Sequence, residues 1–290
     1  MKGIFTALMC AFNEDGTIHE KGLRQLVRHN IDVSKVDGLY VNGSTGENFL
    51  ISTEDKKRIF EIVKDEAGSQ VKLIAQVGAL NLDEAVELAE YATELGYDSL
   101  SAVTPFYYKF DFEEIKDYYN TIMKNVDNTM IIYSIPALTG VNMSLSQFGE
   151  LFENEKIIGV KFTAPDFYLL ERLRHAYPDK LIYSGFDEML LSAAVLDVDG
   201  AIGSTFNVNG NRARTIFELA QQGKISEARK VQKETNDLIS GILANGLYQT
   251  IKEMLKTQGI EAGVCRKPMK QLSAEKVKVA QQLAVDFMND

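Results

Sequence analysis

Short apolar runs rich in β-formers alternate with amphipathic stretches along most of the chain. The runs at 4–10, 38–42, 72–77, 98–103, 130–135, 157–162, 180–184 and 199–203 predict eight strands. Several are apolar at consecutive positions, the pattern of strands buried on both faces of a parallel sheet. Between them lie helix signals. In 81–96, Asn81 is a capping residue with Glu84 three positions on; Ala85, Val86, Leu88, Ala89, Ala92 and Leu95 form an apolar stripe that Gly96 ends. In 111–125, Asp111 and Glu114 flank the start, and Ile115, Tyr118, Tyr119 and Ile122 make the inner face. Ser144 with Gln147 has the form of a capping box. Further helices fit 20–31, 53–67, 166–176, 187–197 and 210–222.

Eight strand–helix units ending near residue 223 predict an α/β fold with a closed parallel barrel, a (β/α)8 TIM barrel. No GxGxxG follows a strand, which argues against a dinucleotide-binding sheet. The remainder reads as three helices, 225–245, 248–258 and 273–288. No Pro/Gly/Ser-rich linker separates them. The expectation is one domain: a barrel over 1–223 and a helical extension over 224–290, packed on the barrel or on another subunit.

Composition narrows the function. A formal net charge of -10 without a Lys/Arg-rich run argues against nucleic acid and anionic membrane as partners. An anionic substrate would need local donors, because the overall field repels it. No apolar run approaches the length that spans a bilayer. The opening segment, MKGIFTALMCAFNEDG, reads as a first strand rather than a leader, and a cytoplasmic location fits. Cys10 and Cys265 form no CxxC, and His19, His29 and His175 show no metal-ligand spacing, so neither a metal centre nor another cofactor is expected.

In such barrels the reactive groups stand at the C-terminal ends of the strands. The sixth run, IIGVKF, carries Lys161 after four apolar or small residues. A lysine buried there would lose its charge and expose a nucleophilic amine; a lysine snorkelling to solvent is the alternative. Tyr133, in the neighbouring run MIIYSI, is a proton-transfer group or a core aromatic. The second run leads into NGSTGE, where Gly43 and Gly46 bracket Ser44 and Thr45; such a turn either cradles an anion or serves only geometry. Asp187 and Glu188, after Gly185, bind polyol hydroxyls or cap the next helix. Thr163 shares Lys161's side of an extended strand, and Ser204 adds a hydroxyl after the eighth run. Tyr107 and Tyr108 read as core, interface or site aromatics. Together, lysine, tyrosine, hydroxyl loop and polyol-binding groups at one barrel end describe a class I aldolase acting on a keto acid.

GSTGE (43–47), YSIPALTG (133–140), GVKFT (159–163) and GFDE (185–188) occur in an order and spacing that resemble the dihydrodipicolinate synthase/N-acetylneuraminate lyase family, along nearly the whole chain. The resemblance implies a (β/α)8 barrel with three C-terminal helices, usually a homotetramer. It implies Lys161 as the Schiff-base lysine and Tyr133 as the proton shuttle. Ser44 and Thr45 would hold the pyruvate-derived carboxylate, and Tyr107 would be lent across a subunit interface. Dihydrodipicolinate synthases usually carry an arginine where this chain has Leu138, and a leucine cannot replace its bidentate donors. The sialic acid-cleaving branch looks more like this sequence. There the counterparts of Thr163, Gly185, Asp187, Glu188 and Ser204 contact the sugar's polyol chain. Phe186 stands where some relatives carry tyrosine. The implied reaction is cleavage of N-acetylneuraminate to N-acetylmannosamine and pyruvate, with no cofactor beyond the covalent imine. Alternatives are condensation of pyruvate with aspartate semialdehyde, cleavage of a 2-keto-3-deoxy sugar acid, and a keto-acid-binding barrel without catalysis.

Overall fold

The computed structural model describes residues 1–288; the last two residues of the 224–290 extension lie outside the described residues. Eight parallel strands close in sequence order: β1 (Gly3–Ala7), β2 (Gly38–Val41), β3 (Lys72–Gln76), β4 (Ser99–Val103), β5 (Met130–Ser134), β6 (Ile157–Phe162), β7 (Leu181–Ser184) and β8 (Gly200–Gly203), with β8 pairing back to β1. The helices are α1 (Glu20–Arg28), α2 (Thr53–Ala67), α3 (Leu82–Glu94), α4 (Phe112–Lys124), the single turn α5 (Pro136–Thr139), α6 (Leu145–Phe152), α7 (Phe167–Ala176), α8 (Leu190–Val195), α9 (Phe206–Gln221), and then α10 (Ile225–Asn245), α11 (Leu247–Thr257) and α12 (Ala274–Phe287). The (β/α)8 barrel and its three following helices are therefore as the apolar pattern predicts.

Local chemistry explains the helix starts. Asp111 with Glu114 and Ser144 with Gln147 both form reciprocal capping boxes, each satisfying two otherwise orphaned N–H groups. Asn81 caps α3 as expected, its side chain accepting from Asp83 N, two residues on.

Four boundaries depart from the pattern. The first strand, expected over 4–10, stops at Ala7; beyond it Met9 N donates to the Asn207 side chain, and Phe12 bridges Ile18 and Val264. The helix expected over 20–31 ends at Arg28 and widens into a π turn, His29–Val33. The segment expected as a helix over 187–197 opens with a 3-10 turn, Asp187–Met189. The helix expected from 210 starts at Phe206, with a kink at Asn209.

Two apolar layers result from the alternation of side chains across the strands. Phe5, Ala7, Tyr40, Ile74, Val103, Ile131, Tyr133, Tyr183 and Ile202 fill the barrel interior, and a larger cluster lies between strands and helices. Full burial of each large side chain contributes about 1.5–3 kcal/mol. In β6 an irregularity shifts the register: Met130 pairs with Ile157, but Ile131 pairs with Gly159. Ile157, Val160 and Phe162 face the outer layer, while Lys161 points inward over the Tyr40 and Tyr133 rings. The extension packs on the barrel, α10 lying against α9 and α8. Gln232 on α10 accepts from Leu191 N and donates to the Asp187 carbonyl, and Asn236 donates to that of Glu188, which fixes the turn after β7.

Candidate active site

Tyr133 and Lys161 are register partners on adjacent strands, one residue before the end of each. Their side chains open into a cavity of about 320 Å3 at the C-terminal mouth of the barrel. Ser44, Thr45, Tyr133, Lys161, Thr163, Gly185, Asp187, Glu188 and Ser204 all line it, so nine of the ten expected site residues converge.

Lys161 is 5% exposed. Its Nζ lies 3.9 Å from the centroid of the Tyr133 ring and 4.6 Å from that of Tyr40. Burial drives its pKa down to about 7, against a weaker opposing pull from the Asp187 carboxylate. Much of the lysine is therefore a free amine at neutral pH, the state a nucleophile requires. Burial also raises the Tyr133 phenol, opposed by its contact with the Ser44 hydroxyl at 3.4 Å, so it stays protonated and able to donate. Below them the Tyr40 hydroxyl donates to Ser101, which donates to the Ile131 carbonyl, so Tyr40 is a fixed floor.

NGSTGE forms a 3-10 turn over Ser44–Gly46 that lays the two hydroxyls along the cavity. Gly43 permits this: a Cβ there would stand 2.8 Å from the Tyr40 ring. Thr45 Oγ1 shares a hydrogen bond of 2.7 Å with Ser204 Oγ, joining the turns after β2 and β8. The turn closes on Glu47, a non-glycine residue in the left-handed region (φ +64°). Its fully buried carboxylate bonds Lys252 Nζ of α11 and Arg266 N, each at 2.6 Å. At the other end Asn42, also left-handed (φ +57°), donates to the Lys56 carbonyl. The sequence reading missed both anchors.

On the opposite wall Asp187 lines the cavity and also braces the start of α9. One carboxylate oxygen accepts from Thr205 N and Oγ1 at 2.8 and 2.6 Å, which caps the start of α9 rather than the helix that immediately follows Asp187. Burial raises its pKa to about 6, with the Thr205 bonds pulling the other way. Gly185 lets the backbone pass the neighbouring strand: a Cβ there would lie 1.9 Å from Thr163 Oγ1. That hydroxyl is buried and without a hydrogen-bond partner, so it is available to a ligand. Glu188 is exposed at the rim.

Tyr107 does not join this cavity within one chain. It is 81% exposed, in a left-handed conformation (φ +77°), edge-on to Tyr108. Leu138 is exposed and lines both the Lys161 cavity and a neighbouring apolar cleft of about 250 Å3, with Phe49, Phe106 and Tyr248. Tyr248, Ile239, Leu243 and Leu247 of the C-terminal helices also wall the cavity, a contribution that barrel periodicity could not reveal. A larger surface cleft of about 720 Å3 runs beside α1, but none of the residues lining the Lys161 cavity lines it. Among the described residues no group of three or more His, Cys, Asp or Glu side chains is placed to hold a metal ion.

Known proteins resemble this chain along its full length. The N-acetylneuraminate lyase of Fusobacterium nucleatum is 70% identical over 290 residues, covering 100% of both chains. That of Pasteurella multocida is 67% identical, covering 100% of this chain and 99% of its own. The crystal structure of the Fusobacterium lyase complexed with pyruvate superposes with a TM-score of 0.96, covering 100% of this chain and 98% of that one, at 70% identity. A Clostridium difficile structure in complex with mannosamine reaches 0.98 at 69% identity, covering 99% of each chain. Residues 1–285 match the dihydrodipicolinate synthetase family, and the chain belongs to it.

Proposed function

We infer that this protein is a Schiff-base aldolase that cleaves N-acetylneuraminate to N-acetylmannosamine and pyruvate. The observation that carries the reading is Lys161: a primary amine at the base of a polyol-sized cavity, held near pKa 7 by burial, with a protonated phenol beside it. Relatives of this identity carry that lyase's name, and their crystal complexes hold pyruvate and mannosamine, which supports the same substrate here.

In this reading the open-chain substrate enters with its carboxylate on Ser44 and Thr45. Lys161 Nζ adds to the C2 ketone, Tyr133 passes a proton to the departing hydroxyl, and water leaves. The iminium then accepts the electron pair of the C3–C4 bond. The C4 hydroxyl loses its proton, to Tyr133 or to the substrate's own carboxylate, and the aldehyde sugar departs. Protonation of the enamine at C3 and hydrolysis of the imine release pyruvate and the free lysine. The imine itself is the electron sink, so the scheme calls for no metal or other cofactor. Asp187, Glu188, Thr163, Ser204 and the Gly185 backbone would take the polyol chain.

The assembly is part of the same proposal. Phe49, Phe106, Tyr107, Tyr108 and Phe110 form a run of aromatic contacts beside the mouth, and Tyr107 and Tyr108 are largely exposed. Such a surface suits contact with further copies, as a homotetramer with Tyr107 reaching a partner's site. Among the described residues no helix is long and apolar enough to cross a membrane, and both cysteines are free; a cytoplasmic enzyme fits.

The test is a side-by-side assay of N-acetylneuraminate cleavage, pyruvate plus aspartate semialdehyde condensation, and 2-keto-3-deoxygluconate cleavage. Turnover should favour N-acetylneuraminate by at least tenfold in kcat/KM; preference for either other substrate would overturn the assignment.

A further inference from the structure

Glu47 and Lys252 form the most completely buried ion pair among the described residues, with side chains 0% and 2% exposed. Neither touches the Lys161 cavity's reacting groups, yet both are fully bonded. Glu47 Oε1 takes Lys252 Nζ, Oε2 takes Arg266 N, and Lys252 Nζ also donates to the Val264 carbonyl at 2.6 Å. The Phe12 ring lies beside Lys252 Nζ, 5.2 Å from it to the centroid.

Burying two charges is costly, and an apolar pair of similar volume often gives equal or greater stability. Stability is thus a poor reason for this pair. Its position suggests a better one. Glu47 ends the 3-10 turn that carries Ser44 and Thr45, its N–H closing that turn on the Ser44 carbonyl at 3.0 Å. It does so with a positive φ that L residues avoid, a conformation held only where surroundings over-determine it. The surroundings that fix it are Lys252 on α11 and the 264–266 segment. Both lie in the C-terminal extension, more than two hundred residues away in sequence.

We propose that Glu47 and Lys252 are positioning residues: their buried pair locks the Ser44–Thr45 turn in the geometry that receives the substrate carboxylate, which makes the C-terminal extension a working part of the site. The proposal rests on the aldolase reading above. It adds that carboxylate affinity, rather than the chemistry at Lys161, depends on α11.

The experiment is borohydride trapping of the pyruvate imine across a range of pyruvate concentrations, with Tm measured alongside. In Glu47→Gln, the pyruvate concentration for half-maximal trapping rises by about tenfold, the loss expected for one misplaced charge-assisted hydrogen bond, while the trapping rate at saturation changes little. In a Ser44→Ala/Thr45→Ala background the same substitution adds no further rise, because both changes act through one turn. Glu47→Gln/Lys252→Met removes the lone buried charge that Glu47→Gln leaves. It keeps the fold and still shows the raised half-saturation, and it answers the question if the single variant does not fold. Unchanged half-saturation in the double variant, or an additive effect in the Ser44→Ala/Thr45→Ala background, would overturn the positioning role. Failure of wild type to trap pyruvate at all would instead sink the aldolase reading.

Discussion

Replacing Lys161 by methionine should abolish turnover and stabilise the protein. The lysine's pKa falls from 10.5 to about 7 on folding, chiefly through burial. Above pH 10.5 it is neutral in both folded and unfolded chains and costs nothing. As pH falls from 10.5 to about 7 the unfolded chain binds a proton that the folded one refuses, so stability declines across that window and levels off below it. At 1.36 kcal/mol per pH unit, the cost is about 4 kcal/mol at pH 7 and about 2 kcal/mol at pH 9. Methionine has nearly the same length and volume, no charge, and favourable contacts with the Tyr40 and Tyr133 rings that it would lie against. For a chain of this size a gain of about 4 kcal/mol raises Tm by roughly 8 °C. The assay is thermal and urea unfolding of wild type and Lys161→Met at pH 7 and pH 9, without ligand and at one protein concentration. The gain should shrink by about half at pH 9. A destabilised variant, or a gain that ignores pH, would refute the claim that Lys161 is buried with a depressed pKa.

Two further outcomes follow from the same cavity. The rate of pyruvate imine formation should rise with pH through about 7 as Lys161 loses its proton, with a limb shallower than one decade per unit below pH 6, where Asp187 gains its proton and ceases to support the Lys161 charge; a profile flat from pH 5 to 9 would contradict it. Leu138→Arg, at an exposed position on the mouth, should raise kcat/KM for a carboxylate-bearing aldehyde acceptor by about tenfold and leave pyruvate trapping unchanged, read by condensation assays with aspartate semialdehyde.

Strand positions and reactive strand ends are legible in the sequence because a parallel barrel imposes one rule everywhere: apolar runs are strands, and their C-terminal ends meet. That rule brings Lys161 and Tyr133 to one mouth, but the choice between a buried amine and a snorkelling lysine is made only by the fold, where the bulge in β6 leaves the lysine facing inward. Ser44 and Thr45 were readable as a hydroxyl turn, but the anchors at Asn42 and Glu47 were not. Each is a polar residue whose partner is distant or lies on another element, and no local pattern encodes such a pair. Asp187 reads from the sequence as a ligand or as the cap of the next helix; instead it holds Thr205, the residue eighteen positions on that precedes α9. Helix ends failed where tertiary bonds outbid propensity, as where Asp187 takes Thr205 N and the helix starts at Phe206. Tyr107 could not be placed from one chain, since its ring turns to solvent.

The most direct test of the central claim is reduction with borohydride in the presence of N-acetylneuraminate, read by intact mass and peptide mapping. The prediction is a single pyruvyl-sized adduct on Lys161, absent in Lys161→Met, because the sugar must be cleaved before its pyruvate can remain on the enzyme. An adduct of the whole sugar acid would mean binding without cleavage. An adduct on another lysine, or none with either N-acetylneuraminate or pyruvate, would contradict the Schiff-base mechanism itself.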